Sequence, residues 1–282
     1  MIKKAFIAAI IFFALHALFV RFIPISNSQN QWQENIVMAQ RFIYSKDSIQ
    51  NIIVGSSLSN RLIIDSLPNF YNFSLQGQSI YDGLYVVSKS NIPPRKIFLE
   101  MNMILRKENK SFISSLYSPI LYYVRRILPS LRDEYQPVGQ ISKMMINLLT
   151  KMKPNTTLLQ KPAVQSDVFK KMLDHEIDMY STLPDEKILD DRFSIIKKYV
   201  ADFQKKGTQV IFFEMPVNEN LCDLPAAKII REHFFKTFPI DKYNYLPYTG
   251  CKGYKTRDGE HLGPEEALQY TQYFKSQIKN FN

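Results

Sequence analysis

Cysteine, histidine and glycine are scarce in this chain, and their scarcity excludes several kinds of site. The 282 residues contain two cysteines, four histidines and nine glycines. Cys222 and Cys251 show neither a CxxC pair nor Cys/His metal-ligand spacing, and His175 has no second histidine four residues later. No nucleic-acid-binding module is recognisable either. We therefore predict no metal, no cofactor and no nucleic-acid partner.

Apolar and charged residues are plentiful, and they define the class of protein. Apolar residues make up 45% of the chain and aromatic residues 13%, which favours a sizeable core and argues against disorder. The net charge is +10, and residues 95–172, with fourteen Lys/Arg against five Asp/Glu, carry nearly all of that excess. This basic segment is interpreted either as ordinary solvated helix faces or as a surface for anionic lipid or anionic polysaccharide.

The N-terminus contains the long apolar run of the sequence. Ala5–Val20 is interrupted only by His16, and residues 4–23 are predicted to form a transmembrane anchor. Lys3 and Lys4 before the run predict a cytoplasmic N-terminus and an exported remainder. A cleaved signal peptide is the main alternative, and a buried helix of a soluble protein is another.

Export of the domain would place the two cysteines in an oxidising compartment. In an oxidising compartment Cys222 and Cys251 could form a disulfide, and two unpaired thiols are the alternative.

Short apolar strands alternate with helical patterns in the rest of the chain. This alternation is typical of parallel βαβ units, so we predict an α/β domain over residues 27–282 with a mainly parallel sheet of about five strands. Residues 104–183 show no clear strand and are predicted to be a helical insertion. The predicted strands are 51–54, 70–74, 96–101, 209–215 and 243–246.

The first predicted strand runs into Gly55-Ser56-Ser57, and a helix-like stretch follows at 58–67. This geometry brings a small side chain to the open end of a sheet, where nucleophiles and phosphates are found. A serine nucleophile needs a base and a group that orients the base. His261 and Asp258, three residues apart before the last predicted helix, are the candidates for these two roles. The remaining histidines are interpreted as structural.

At four places the chain resembles the SGNH (GDSL-type) hydrolase superfamily, over residues 50–105 and 185–280. Gly55-Ser56-Ser57 stands where the family has Gly-Asp-Ser, so Ser57 matches the nucleophile. Gly77, in the segment 71–79, matches the glycine whose N–H serves the oxyanion hole. Asn102 follows the third strand and matches the family's asparagine. Asp258 and His261 match the Asp-x-x-His block. The resemblance implies a three-layer α/β sandwich with a Ser57–His261–Asp258 triad.

The chain departs from the family pattern in the first and third blocks. Ser56 replaces the usual aspartate, which is similar to membrane-anchored members that modify teichoic acid or exopolysaccharides, and Ser56 is a rival nucleophile. Glu100 and Met103 flank Asn102 where the family has Gly and Asp, so the oxyanion hole could rest on the N–H groups of Ser57 and Gly77 alone.

Every matched residue also has an ordinary structural interpretation. Ser57 could cap a helix, Gly77 could be a turn glycine and Asn102 a hydrogen-bonded loop residue. Asp258 and His261 could be a surface pair. Two further carboxylates, Glu100 and Glu214, end apolar strands and are interpreted as structural.

Together these features predict a membrane-anchored, extracytoplasmic serine esterase or O-acyltransferase. The resemblance implies an acylated carbohydrate or anionic glycopolymer as substrate and, by analogy, an integral-membrane acyltransferase as partner. A catalytically inactive binding or scaffolding subunit is the alternative, and a soluble cytoplasmic lipase-like enzyme is the third.

Overall fold

A computed structural model of the chain describes residues 2–22, 30–136 and 166–281. Five strands form one sheet with the order β2-β1-β3-β4-β5, and each neighbouring pair is parallel. The prediction of a mainly parallel sheet of about five strands is therefore confirmed. The strands are β1 (Asn51–Gly55), β2 (Phe70–Ser74), β3 (Lys96–Glu100), β4 (Gln209–Phe213) and β5 (Asn244–Tyr245).

Ten α-helices lie within the described residues, and several begin at the caps that the sequence provides. The Asp185 carboxylate accepts the N–H groups of Lys187 and Ile188, and Ser79 forms a capping box with Asp82. The helices are α1 (Ile2–Phe22), α2 (Gln31–Ile43), α3 (Ile80–Ser88), α4 (Lys110–Leu116), α5 (Pro119–Ile127), α6 (Ser166–Ser181), α7 (Glu186–Lys205), α8 (Glu219–Cys222), α9 (Pro225–Thr237) and α10 (Pro264–Gln277).

Helices cover both faces of the sheet, as the apolar strands require. Successive side chains of a strand point to opposite faces, so the neighbours Phe212 and Phe213 in β4 meet different helices. Phe213 packs against Phe274 of α10, with 5.3 Å between the ring centroids. Phe212 packs against Phe234 of α9 at 5.5 Å. Parallel sheets bury both faces in this way, and that is why the strands read as continuous apolar runs.

The chain divides into two compact units. One contains α1, α2, α4 and α5, and the other contains the whole sheet with α3 and α6–α10. Within the predicted insertion at 104–183, the described residues form helices and turns without a strand, and residues 137–165 lie outside the described part of the chain.

The N-terminal helix α1 is long and apolar enough to cross a membrane. Residues Ile2–Phe19 have a mean hydropathy of 1.9, and none of this window is buried. A core helix of a soluble protein would be mostly buried, so its exposure favours an anchor or a signal sequence over that alternative.

A disulfide joins Cys222, at the end of α8, to Cys251, with 6.0 Å between their Cα atoms. Of the two alternatives that the sequence left open, the structure therefore shows the bridged one. Disulfides persist mainly in oxidising compartments.

The prediction of a helix-like stretch after Gly55-Ser56-Ser57 is wrong. Two short 3-10 turns, Ser59–Arg61 and Ile64–Ser66, occupy residues 58–67. Side chains from neighbouring strands hold this backbone instead. Asn72 donates to the Ser59 carbonyl, which an α-helix would pair, at 3.0 Å, and Glu100 accepts the Ser59 N–H at 3.1 Å. Ser57 is therefore not at the N-terminus of an α-helix, and it does not cap one.

Candidate active site

Asp258 and His261 lie on a tight hairpin just before α10. An isolated antiparallel bridge between Thr256 and Leu262 closes its base. Gly259 at its tip has a φ of 98°, which is open to glycine but rarely to other residues. A side chain at position 259 would also crowd α6, because a Cβ on Gly259 would lie 3.4 Å from the Leu173 Cα atom. The hairpin can therefore present both side chains in one fixed arrangement.

The two side chains are in direct contact. His261 Nδ1 lies 2.9 Å from Asp258 Oδ2, and Asp258 Oδ1 accepts the backbone N–H groups of Glu260 and His261 at 3.2 and 2.8 Å. The structure thus brings together the predicted base and its orienting group. An acceptor at Nδ1 places the proton of a neutral imidazole there and leaves a lone pair on Nε2. Within the described residues, Nε2 makes no hydrogen bond of its own.

The environment keeps Asp258 ionised. Burial raises the pKa of this carboxyl, but the hydrogen bonds from the His261 ring and from the backbone outweigh it, so its pKa lies below the ordinary value. A lowered pKa means that the carboxylate stabilises the fold above the ordinary pKa, and this contribution is lost as the pH falls through the lowered one. The relative exposure of the His261 and Asp258 side chains is 19% and 25%, so solvent and substrate can reach the pair.

Ser57 lies just beyond the carboxyl end of β1, and residues beside it share a buried cluster and an electrostatic interaction with the hairpin. Leu58 and Leu262 belong to the same buried cluster, and the Asp258 carboxylate acts electrostatically on Arg61, four residues beyond Ser57. Ser57 is half-buried, and no hydrogen bond joins its Oγ to His261 in the described part of the chain. Catalytic hydrogen bonds often shorten only when substrate binds, so the role of Ser57 stays a prediction.

A buried carboxylate, Glu100, supports the turn that carries Ser57. The Glu100 side chain is completely buried and accepts hydrogen bonds from both the N–H and the Oγ of Ser56 and of Ser59, at 2.5–3.1 Å. It also explains Gly55, because a Cβ at that position would lie 2.6 Å from a Glu100 carboxylate oxygen. The structural interpretation of Glu100 agrees with these contacts, but the sequence did not indicate its partners.

The rival nucleophile Ser56 is unsuited to the role. Its side chain is completely buried, and its Oγ donates to Glu100 at 2.6 Å while accepting the Leu58 N–H at 3.1 Å. A hydroxyl that is closed off from solvent and used in this way cannot attack an external ester.

Gly77 and Asn102 occupy the predicted positions after β2 and β3. Gly77 is exposed in a turn with a φ of 69°, a left-handed conformation that favours glycine. The Asn102 amide pairs with the backbone of Met215, donating from Nδ2 at 2.9 Å and accepting at Oδ1 at 2.8 Å. One of its two Nδ2 hydrogens is therefore already used, and the second is what remains for an oxyanion.

A cavity of about 450 Å³ opens at the carboxyl ends of β3 and β4, and Glu260 of the hairpin lies in its wall. Apolar side chains form most of its wall, and Asn102 is the predicted site residue that lines it. Its polar lining consists of Asn102, Arg106, His175, Glu176, Tyr180, Glu214, Arg231 and Glu260.

Two of the charged groups in the cavity neutralise each other. Arg231 makes a bidentate ion pair with Glu214, with distances of 2.9 and 2.7 Å, and also lies over the Tyr248 ring at 4.7 Å. These hydrogen bonds raise the pKa of Arg231 above its ordinary value, so its charge is permanent. Glu214 was interpreted as structural, and this pair agrees with that interpretation.

Helix α6 packs over the hairpin, where its residues Glu176 and Tyr180 interact with Glu260. Tyr180 of α6 donates to Glu260 at 2.9 Å. Burial raises the pKa of Glu176, and the neighbouring Glu260 carboxylate raises it further. The hydrogen bond from Tyr180 to Glu260 therefore holds α6 against the hairpin.

Sequence reasoning missed Arg106, Glu176 and Tyr180 because nothing in their local pattern marks them. Comparisons with known proteins add no assignment: no protein-family model matches the chain, and no curated protein matches it significantly.

Proposed function

We propose that this chain is a membrane-anchored, extracytoplasmic serine esterase or O-acyltransferase that acts on acyl esters of cell-envelope polysaccharide. The observation that carries the proposal is the Asp258–His261 pair, with 2.9 Å between carboxylate and imidazole, on a rigid hairpin beside an open cavity. An oriented imidazole whose Nε2 makes no hydrogen bond within the described residues is the arrangement that a serine nucleophile requires.

The proposed reaction has two stages, acylation of Ser57 and release of the acyl group from it. His261 Nε2 takes the proton of Ser57 while Oγ attacks the acyl carbonyl, and Asp258 stabilises the imidazolium. The N–H groups of Ser57 and Gly77, with the remaining Asn102 hydrogen, hold the oxyanion. His261 then gives the proton to the leaving sugar hydroxyl. Water or an acceptor hydroxyl, deprotonated by the same imidazole, attacks the acyl carbonyl, and the bond to Ser57 Oγ breaks as His261 returns the proton to that oxygen.

The arrangement of the sheet supports membership in the SGNH superfamily. Ser57, Gly77 and Asn102 follow β1, β2 and β3, the three adjacent strands at one side of the sheet, and parallel strands end at the same edge. Asp258 and His261 precede the last helix, as the family pattern requires. Because of this placement, our proposal includes the layered architecture of the SGNH superfamily.

Labelling with a fluorophosphonate tests the nucleophile directly. We expect the wild-type protein to form a covalent adduct on Ser57, and we expect the Ser57→Ala variant to lose the label completely because no activated hydroxyl remains. The exposed Ser276→Ala is the matched control and should label like wild type. Equal labelling of wild type and Ser57→Ala would refute catalysis at Ser57. An unlabelled wild-type protein would favour the scaffolding alternative, which the engaged Asn102 amide also supports.

Membrane anchoring through α1 is the second part of the proposal, and α5 supports it. The two helices belong to the same unit, and His16 Nε2 of α1 lies 3.1 Å from the Tyr135 carbonyl that follows α5 in the chain. Ile120 and Ile127 of α5 are 77% and 76% exposed, and the basic Arg126 is exposed on the same helix. An exposed apolar stripe with basic neighbours is typical of a helix that lies in the lipid headgroup region.

Fractionation of expressing cells tests this anchoring. We expect the full-length protein in the membrane pellet after carbonate extraction, with its N-terminus intact and its sheet-containing unit open to protease from outside. A mature chain shorter by roughly 20 residues would show that α1 is a signal peptide. A protein found wholly in the cytosol would support the soluble lipase-like alternative.

A further inference from the structure

The cavity at the carboxyl ends of β3 and β4 has an apolar inner wall. Five of the residues that line it are buried, at 3–8% exposure, and none of the five carries a charged side chain. These residues are Met101, Val217, Cys222, Ala226 and Ile230. The sulfur of Cys222 is closed in its disulfide, so this wall offers a ligand apolar contact and no charge.

The polar residues of the lining lie closer to solvent, because each of them is half-buried or exposed. Glu214 and Arg231 neutralise each other in their ion pair, and Glu260 accepts the Tyr180 hydroxyl. The lining has three glutamates against two arginines, so it carries no excess of positive charge for an anionic ligand. An apolar wall with a polar rim suits a neutral ligand that has one apolar and one polar end.

The polar rim includes residues of the proposed active site. Asn102, which is proposed to hold the oxyanion, lines the cavity, and so does Glu260, the residue before His261 in the hairpin. An ester whose carbonyl is held by Asn102 therefore has its acyl group at the cavity. The acyl chain is then the apolar end of the ligand, and the alcohol of the ester is the polar end.

The volume of the cavity, about 450 Å³, fits an acyl group much larger than acetyl. An apolar cavity of roughly 150 Å³ holds benzene, with its six carbons, so a chain of about eight to twelve carbons would fill much of the available space. An acetyl group would leave most of the apolar wall without contact. Met101 and Met103 line the cavity with flexible side chains that can adjust to such a chain.

We propose that this cavity binds the acyl chain of the ester, and that the enzyme prefers an aliphatic acyl group of about eight to twelve carbons over acetyl. The proposal rests on the proposed function, because it names the acyl group of the ester that Ser57 attacks. Acylated sugars and acylated phospholipids both carry such a chain, so the ligands of the experiment include one of each.

Hydrolysis of p-nitrophenyl esters by the full-length protein in detergent measures the preference for chain length. The series contains acetate, butyrate, octanoate, dodecanoate and palmitate. We expect kcat/KM to rise by roughly 2–4-fold for each methylene between acetate and octanoate, because each methylene buries apolar surface in the cavity. Palmitate should gain nothing over dodecanoate, since the cavity is then full. A profile that is level or highest at acetate would overturn the assignment.

Filling the cavity tests where the chain lies. Ala227, in the first turn of α9, is half-buried in the cavity wall. Ala227→Phe takes the space of several methylenes and should lower the octanoate-to-butyrate ratio of kcat/KM by roughly 10–100-fold. Ala227→Leu, a smaller change that the fold tolerates more easily, should shift the ratio in the same direction by less.

Ala201 is exposed on α7, away from the cavity, and Ala201→Phe is the matched control that should keep the wild-type ratio. The ratio is compared between variants in the same detergent, so loss of folded protein and uptake of esters by micelles do not affect the comparison. A wild-type ratio in both Ala227 variants would overturn the proposal.

Calorimetric binding to the Ser57→Ala variant separates the cavity from the catalysis. We expect octanoyl methyl glucoside to bind at least tenfold more tightly than acetyl methyl glucoside, and we expect an added Ala227→Phe to remove this difference. Tighter binding of octanoyl glycerophosphoglycerol would also support the cavity and would identify a phospholipid as the source of the chain. If wild type hydrolyses no ester but this binding remains, the proposed catalysis fails and the acyl cavity stands. Equal hydrolysis of acetate and octanoate would overturn the acyl cavity and leave the catalysis standing.

Discussion

Asp258→Asn is expected to lower kcat for ester hydrolysis by roughly 10³–10⁴-fold while the protein remains folded. The carboxylate accepts the Nδ1 proton of His261 at 2.9 Å and so selects the tautomer with a basic Nε2. An asparagine offers either an amide donor or a weak acceptor to the ring. It therefore leaves the imidazole in the wrong tautomer or without its electrostatic support.

Steady-state kinetics on a neutral acetyl ester measure this effect. His261→Ala should lose at least as much activity as Asp258→Asn, and the double variant should lose little more, because the two residues act as one unit. The exposed Asp241→Asn is the matched control and should keep wild-type activity. Losses that simply multiply in the double variant would contradict a coupled Asp–His pair. Thermal melts and circular dichroism show whether each variant folds.

Glu100→Ala is expected to destabilise the protein by about 3–5 kcal/mol. This substitution removes the acceptor of four hydrogen bonds and leaves the donors of Ser56 and Ser59 buried without partners. Glu100→Gln should recover only part of that stability, since its amide group directs hydrogens at hydroxyls that already donate. Denaturant unfolding gives the free energy of unfolding for each variant.

The exposed Glu232→Ala controls for the loss of one carboxylate and should stay within about 0.5 kcal/mol of wild type. Glu100→Ala should also abolish fluorophosphonate labelling wherever it still folds, because the turn that carries Ser57 loses its support. A folded, fully labelled Glu100→Ala variant would show that this carboxylate does not position the nucleophile.

Local patterns predicted the regular elements well and the turns poorly. The apolar runs of β2 and β4 lie within a few residues of their predicted bounds, because each depends on burial that neighbouring residues encode. The stretch 58–67 failed for the opposite reason. Its backbone groups are taken by Glu100 and Asn72, which come from other strands, and no local pattern could reveal those partners.

The candidate site shows the same difference between local contacts, which the sequence predicted, and long-range contacts, which it did not. The contact between Asp258 and His261 followed from a spacing of three residues, and the structure contains it. Whether Ser57 reaches that imidazole depends on how β1 and the hairpin meet across two hundred residues of chain. The burial that excludes Ser56 as a nucleophile depends on Glu100 of β3, which lies 44 residues further along the chain.

By itself, the sequence determined an apolar N-terminal helix, a parallel α/β sheet and an oriented Asp–His pair, because hydrophobic period, capping and short spacing act over a few residues. Only the tertiary structure decided that Cys222 and Cys251 are joined, that Glu100 holds the serine turn and that α6 covers the hairpin. Those contacts join residues that are far apart in sequence, and their energy depends on the burial and geometry that the completed fold creates.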